Sequence, residues 1–465
     1  VVMKDNRHFS RTGAIVDLGA IRENMIALVK AAKEENPEIK ALATVKADAY
    51  GHGACEVANA VEDIADMFSV ACTDEGIELR EEGGIRKPVL ILGPVFAEDD
   101  EDTIRYGLTQ VIFTVKRLKQ LNENAARFAR ENGLDPAALK KEAEAAGDTV
   151  GEILALMKED RMKKERAAAV EKAAAAAADP SSAENRARET ALKTGSGRDC
   201  CFADGKAHVH IAVDTGMSRI GLAPDENGLR ILKAAMELPY VSIDGVFTHF
   251  ATADEKDKSG ANLALSKFQK FKAMAEEAGI RIPCWHCANT ASIIDGIGLK
   301  GFDLCRVGIG LYGMYPSDEV RKERVALRPA LTWYAYITYV KWIEAGTSVS
   351  YGYKYTADKR MRVGTVSIGY ADGYPRSLSL KGTEVLVNGR RCPILGRICM
   401  DQMMIDISAF EEGEVFEGVP VILIGGSGTD ADSYISAEEL AEKIGTISYE
   451  MTCGISRRVP RKYLK

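Results

Sequence analysis

The feature that most limits what this chain can fold into is a recurrence. Short apolar, β-branched runs stand at residues 39–45, 67–70, 89–92, 110–113, 209–213, 241–247, 282–285 and 303–307. Between them lie stretches such as 73–82 and 263–278, apolar at helical spacing. Strands that alternate with helices form a parallel sheet. Eight such runs predict an α/β fold, a closed (β/α)8 barrel of the TIM type, for which about 250 residues is typical. An open, doubly wound sheet is the structural rival.

The expected barrel domain covers residues 18–320, with one break in its rhythm. Residues 135–199 form a helical insertion between the fourth and fifth strands, rich in Ala, Glu, Lys and Arg. Val150, Ile153, Leu154 and Met157 fall on one helical face. The alanine run 173–178 has the highest helix propensity available, and Pro180 stops it. Such a segment reads as a solvated spacer or as an arm for an unknown partner. Beyond residue 320 the pattern changes to short strands at 331–340, 361–368, 383–386, 391–395 and 421–424, with an Asn388-Gly389 hairpin turn and a helix near 437–444. Residues 321–465 are therefore expected to be a mostly β C-terminal domain. A strand within residues 1–17 precedes the barrel pattern and is expected to pair with the C-terminal domain.

Composition narrows the function. The chain has 465 residues, a net charge of −7 and 46% hydrophobic content, enough for a large core without disulfides. The acidity argues against nucleic acid as the main partner. No apolar run reaches the roughly 18–20 residues of a membrane span, and no apolar signal core opens the chain. These readings place the protein in the cytoplasm. The ten cysteines are scattered. Cys284 and Cys287 form a C-x-x-C around His286, but a zinc site needs a second ligand pair, and none is near. Free thiols in a reducing compartment are expected, and no metal.

The strongest local signal is Val45-Lys46-Ala47-Asp48-Ala49-Tyr50-Gly51-His52-Gly53. It puts Lys46 at the end of the first barrel strand, where such barrels carry catalytic groups. A lysine leaving an apolar strand is poised to lose its proton and form a Schiff base. This nonapeptide resembles the pyridoxal-phosphate lysine motif of alanine racemases. The resemblance continues through Asp214-Thr215-Gly216-Met217-Ser218-Arg219-Ile220-Gly221, Thr248-His249-Phe250-Ala251-Thr252-Ala253-Asp254 and His286-Cys287-Ala288-Asn289-Thr290-Ala291. It includes Arg306-Val307-Gly308-Ile309-Gly310-Leu311-Tyr312-Gly313, Val349-Ser350-Tyr351-Gly352, Gly369-Tyr370-Ala371-Asp372-Gly373-Tyr374, Arg397-Ile398-Cys399-Met400-Asp401-Gln402 and Arg458-Val459-Pro460-Arg461. It covers about residues 11–130 and 206–462.

The resemblance implies a pyridoxal-phosphate-dependent isomerase that interconverts L- and D-alanine, supplies D-alanine for peptidoglycan and works as a homodimer with shared active sites. Lys46 would hold the cofactor and act as one base. Tyr351, from the partner subunit, would be the other, each serving one face of the substrate. Arg306 would face the pyridine nitrogen, where it can only donate, and His249 would link it towards Tyr351. Tyr50, Asn289, Thr290, Gly308 and Ile309 would form the phosphate and ring site. Arg219 and Met400 would bind the substrate, with Asp401 ordering the Met400 loop. A broader amino-acid or serine racemase is the alternative on the same scaffold. Related decarboxylases should show a different second domain, and non-catalytic pyridoxal-phosphate carriers lack a β domain.

Two positions depart from the family pattern. Many members carry a carbamate-modified lysine where this chain has Ala212, so the anion that would orient Arg219 is missing. A bound anion, a water or another side chain is expected in its place. Many members also carry a tyrosine where this chain has Arg457, which bears on the pocket entrance and on strictness for alanine.

Overall fold

The computed structural model describes residues 11–134, 205–426 and 432–465. The helices expected within 135–199 lie outside the described residues.

The described residues open with β1 (Thr12–Asp17) and then close a parallel barrel of eight strands. In order these are β2 (Lys40–Thr44), β3 (Met67–Val70), β4 (Val89–Ile91), β5 (Leu108–Ile112), β6 (Ala207–Ala212), β7 (Val241–Phe247), β8 (Trp285–His286) and β9 (Leu304–Val307). β9 pairs with β2 to complete the ring. The doubly wound alternative is thereby excluded. Each expected run supplies one strand; β3 and β7 keep the expected ends and the others shift at one or both ends. The largest shift is at β8, expected over 282–285. Pro283 has no N–H to give a ladder, and pairing begins only at Trp285.

Leu42, Leu90, Val111, Ala212, Phe247 and Leu304 form a separate apolar cluster. Side chains two apart on a strand share a face. Arg306 therefore shares a face of β9 with Leu304, and Thr44 shares one of β2 with Leu42. Apolar contact thus gives way to polar groups towards the carboxyl ends of the strands. At β7 an extra residue, Asp244, breaks the register between the pairs Val209–Ile243 and His210–Gly245. A Cβ on Gly245 would lie 2.6 Å from the His210 ring, so the imidazole occupies space that glycine leaves open.

The remaining strands are β10 (Leu331–Ile343), β11 (Ser348–Val349), β12 (Tyr355–Thr356), β13 (Met361–Val366), β14 (Glu384–Val387), β15 (Arg390–Leu395), β16 (Met403–Asp406), β17 (Pro420–Gly426), β18 (Tyr434–Ile435) and β19 (Arg461–Leu464). Pairings run from β10 through β13, β16, β15, β14 and β17 back to β10, so these strands close a second ring. At the tip of the β14–β15 hairpin Asn388 and Gly389 have φ of 47° and 78°, the left-handed pair that a tight hairpin needs. β1 lies between β10, to which it is antiparallel, and β19, to which it is parallel.

Candidate active site

Lys46 directly succeeds β2 and Val45 at the carboxyl rim of the barrel. The backbone after it winds left-handed. Residues 47–50 have φ of 52–54°, although they are Ala, Asp, Ala and Tyr. That conformation costs L-residues roughly 1–2 kcal/mol each, so it persists only where the surroundings hold it. Here they do. Glu75 Oε1 accepts the Ala47 N–H at 2.7 Å, and its Oε2 accepts the Ala71 N–H at 2.7 Å. Asp48 Oδ1 accepts the Ala54 N–H at 2.8 Å, the first amide of the helix Ala54–Val61. His52 Nδ1 faces the Ala49 and Tyr50 carbonyls at 3.1 and 3.0 Å. Two acceptors at one nitrogen put the ring proton there. Arg461 Nε donates to the Gly51 carbonyl at 3.0 Å. Gly51 has φ of 84°, and a Cβ on it would stand 2.2 Å from the Thr452 carbonyl oxygen. The turn is therefore pressed against the C-terminal domain where only glycine fits.

Burial lowers the pKa of the Lys46 amine, and the Arg219 charge lowers it further, against opposing effects of Cys453 and Glu75. Beside it the Tyr50 ring packs on Tyr312 with centroids 4.9 Å apart. Tyr312 Oη donates to the Thr44 carbonyl at 2.8 Å. Burial holds the Tyr50 phenol well above its usual range, so it is a neutral donor.

Gly308 marks a cradle. Its N–H donates to Thr290 Oγ1 at 2.9 Å. A Cβ on Gly308 would stand 3.5 Å from Thr290 Oγ1 and 3.6 Å from Tyr50 Oη. The space it leaves is thus bordered by two hydroxyls. Ile309 opens a short 3-10 turn, so its N–H has no partner within that turn. Asn289 spends its oxygen on the next helix, where Oδ1 accepts the Ser292 N–H and hydroxyl, both at 3.0 Å.

Arg306 is buried among neutral acceptors. Its guanidinium reaches His286 Nδ1 at 2.9 Å, His249 Nδ1 at 3.1 Å, and the carbonyls of Thr248 and Cys287 at 3.0 and 3.1 Å. No carboxylate pairs with it among the described residues. Burial lowers the guanidinium pKa to about 10. Burial, with the Arg306 charge, lowers His249 to about 3 and holds His286 well below its usual range. Because guanidinium only donates, both imidazoles must offer lone pairs at Nδ1. His286 Nε2 then meets His210 Nδ1 at 2.8 Å, so His286 carries its proton on Nε2 and His210 accepts. Of the two cysteines around His286, Cys287 is buried and Cys284 half-buried. Cys287 Sγ donates to the Gly298 carbonyl at 3.3 Å, and burial pushes the thiol up to about 12.

Arg219 lies in the loop after β6, exposed, in a cleft lined by Ala212, Met217, Thr248 and His249. No carboxylate pairs with it among the described residues. Tyr351 and Met400 belong to the C-terminal domain and are 69% and 53% exposed. Within one chain the structure does not bring them into hydrogen-bond contact with Lys46, Arg306 or His249. Tyr351 opens a 3-10 turn after Ser350, whose φ is 67°. Asp401 ties the Met400 loop down. Its Oδ1 accepts from Arg458 at 2.8 Å and its carbonyl accepts from Arg11 at 2.9 Å. Arg457 is exposed, and its charge acts on Glu78 of the helix Thr73–Glu81.

Three groups at this rim escaped the sequence reading as site residues. Tyr312 stood inside one of the family motifs. His210 and Glu75 gave weaker signals, a histidine within an apolar strand and an acidic residue in the first turn of a helix.

Fold and rim together define a parallel barrel whose mouth brings a half-buried lysine near a donor-only arginine held by neutral imidazoles. Comparison with known proteins narrows the class. The profile described as "Alanine racemase, N-terminal domain" matches residues 16–140 and 129–316, and "Alanine racemase, C-terminal domain" matches residues 330–463. An alanine racemase of Desulforamulus reducens is 35% identical over 97% of this chain and 98% of its own length. One of Methanococcus maripaludis is 33% identical over the same shares. Among solved structures, the alanine racemase of Clostridium difficile 630 superposes with a TM-score of 0.75 at 32% identity, covering 98% of this chain and 97% of that one. The chain belongs to the alanine racemase family and is an isomerase.

Proposed function

We propose that this chain racemises alanine with pyridoxal phosphate, as a homodimer whose active sites are shared between subunits. We further assign it to the cytoplasm, supplying D-alanine for peptidoglycan. The observation that carries the reading is the set of Arg306 partners, all neutral acceptors. A carboxylate facing a pyridine nitrogen keeps it protonated, whereas a guanidinium can only donate. This arrangement favours proton exchange at the α-carbon over transamination.

The residues present fit the cofactor. The gap left by Gly308, bordered by the Thr290 and Tyr50 hydroxyls, with the free Ile309 amide, is a donor-lined place for a phosphate. Lys46, its pKa lowered by burial and by Arg219, would hold the aldehyde end, and Arg306 the ring nitrogen. When bound, pyridoxal phosphate supplies an electron sink that stabilises negative charge on the α-carbon.

Inversion needs one base on each face of that carbon. Lys46 takes the proton on one face, because its depressed pKa makes the neutral amine accessible. Tyr351 of the partner subunit serves the other, consistent with its exposure in the single chain. Arg219 would hold the substrate carboxylate, and Met400 on its Asp401-anchored loop would close the pocket. An anion, a water or another side chain beside Ala212 would steady Arg219.

The test uses purified protein with pyridoxal phosphate and L-alanine, following D-alanine by chiral chromatography, with L-serine and L-lysine in parallel. Rapid D-alanine formation is expected. Inversion mainly of serine or lysine would replace this reading by the broader racemase.

A further inference from the structure

Glu75 takes no part in the proton transfers, yet it touches the backbone that aims the lysine. One carboxylate oxygen takes the amide of Ala47, the residue directly after Lys46. The other takes the amide of Ala71, just beyond the end of β3, and both contacts are 2.7 Å. A single side chain thus ties the exits of two neighbouring barrel strands at the rim where the reaction occurs.

The tie matters because the backbone beyond Lys46 is strained. Left-handed geometry begins at Ala47 and runs through Tyr50 without a glycine. A segment of such residues reverts to right-handed or extended backbone unless its amides are engaged from outside. Asp48, His52 and Arg461 engage its far end. Glu75 alone among the described side chains engages its first amide. If the Ala47 amide swings away, the peptide plane joining it to Lys46 turns, and the lysine leaves the barrel in another direction.

We propose that Glu75 is a positioning residue for Lys46: by clamping the Ala47 and Ala71 amides, it starts the left-handed turn and fixes the direction from which the lysine amine meets the substrate. This rests on the reading of Lys46 as the reacting amine. Gln at this position keeps the shape but has one acceptor and one donor where two amides need acceptors. Glu78, one turn on, has the same charge but does not hold the Ala47 or Ala71 amide, so Glu78→Gln controls for charge.

The experiment compares wild type, Glu75→Gln and Glu78→Gln. In apoprotein, the pH dependence of Lys46 labelling by an amine-acylating reagent is followed by peptide mass spectrometry. In holoenzyme, kcat and KM for alanine are measured. Glu75→Gln is expected to lower kcat about tenfold or more with KM little changed, as loss of orientation does. Its labelling midpoint is expected to move to lower pH, because the carboxylate raises the Lys46 pKa. Glu78→Gln should match wild type in both. A Glu75→Gln enzyme with wild-type kcat and midpoint, or changes equal to those of Glu78→Gln, overturns the proposal.

Should Glu75→Gln not fold, hydrogen exchange on wild-type apoprotein decides. The Ala47 amide is expected to be protected like the barrel strands, and exchange at free-loop rates overturns the clamp. Failure of the underlying reading looks different: saturating pyridoxal phosphate would leave Lys46 labelling unprotected.

Discussion

Arg306 and His286 meet at 2.9 Å through a guanidinium N–H and an imidazole lone pair, deep in the barrel and with no acid between them. The pairing works only while His286 is neutral with its Nδ1 free. His210 secures that by accepting the Nε2 proton at 2.8 Å.

Arg306→Lys keeps the charge but not the fork. Four acceptors surround the guanidinium, and an ammonium has three donors without the planar geometry. We expect racemisation to fall about 100-fold and stability to fall by about 1–3 kcal/mol from unpaired acceptors. Steady-state kinetics and urea unfolding of the same preparation measure both. Near-native values for both would count against the network.

Gly308→Ala separates cofactor binding from folding. The new methyl meets its neighbours at 3.5 and 3.6 Å, ordinary contact distances, so it clashes with neither hydroxyl. It would occupy the space assigned to a phosphate. The Kd for pyridoxal phosphate should rise about tenfold or more, roughly 1.4 kcal/mol, as read by fluorescence titration of apoprotein.

Acid should destabilise the protein before its carboxylates titrate. His52 and His210 are lowered to about 4, His249 to about 3, and His286 well below its usual range, all chiefly by burial. In the unfolded chain each protonates near pH 6.5. Below that pH the unfolded state binds more protons, so stability falls as pH drops from about 6.5 towards the folded values. At pH 5 each histidine costs up to about 2 kcal/mol. Urea midpoints taken from pH 7.5 to 5 should decline steeply, and a flat profile would contradict neutral burial.

The proposed sharing of active sites makes an arithmetic prediction. Lys46→Ala and Tyr351→Phe homodimers should each be inactive. Mixed by unfolding and refolding, half the dimers are hybrids, and each hybrid holds one intact site. Activity should return to about one quarter of wild type, as two-fold assembly requires. Sites contained within one chain would give no recovery.

The sequence disclosed the barrel because its signal is repeated and local. Apolar runs such as 241–247 announce themselves, and only details like Pro283 at the edge of β8 moved the ends. The second ring was partly legible. Asn388-Gly389 marked its hairpin, but Met403–Asp406 and Arg461–Leu464 lie in motif-dense sequence where strand patterning is weak. The candidate site was proposed from motifs, not from physics. Nothing in Ala-Asp-Ala-Tyr declares a left-handed turn, since its cause lies in Glu75, Thr452 and Arg461, far along the chain. The His210–His286 contact depends on the space at Gly245, which no periodicity reveals.

The position of β1 bears on how the polypeptide emerges during synthesis. Its antiparallel neighbour is β10 and its parallel neighbour is β19, so the first strand of the described residues meets neither neighbour until the whole barrel has passed. One edge of it stays bare until the final described strand is released. The barrel can close on the ribosome, whereas this seam joins only once β19 has been made. A nascent chain halted after β9 would thus carry a complete barrel trailing an unpaired leading strand. That exposed edge is a natural point for a chaperone to hold, or for two half-made chains to pair in error.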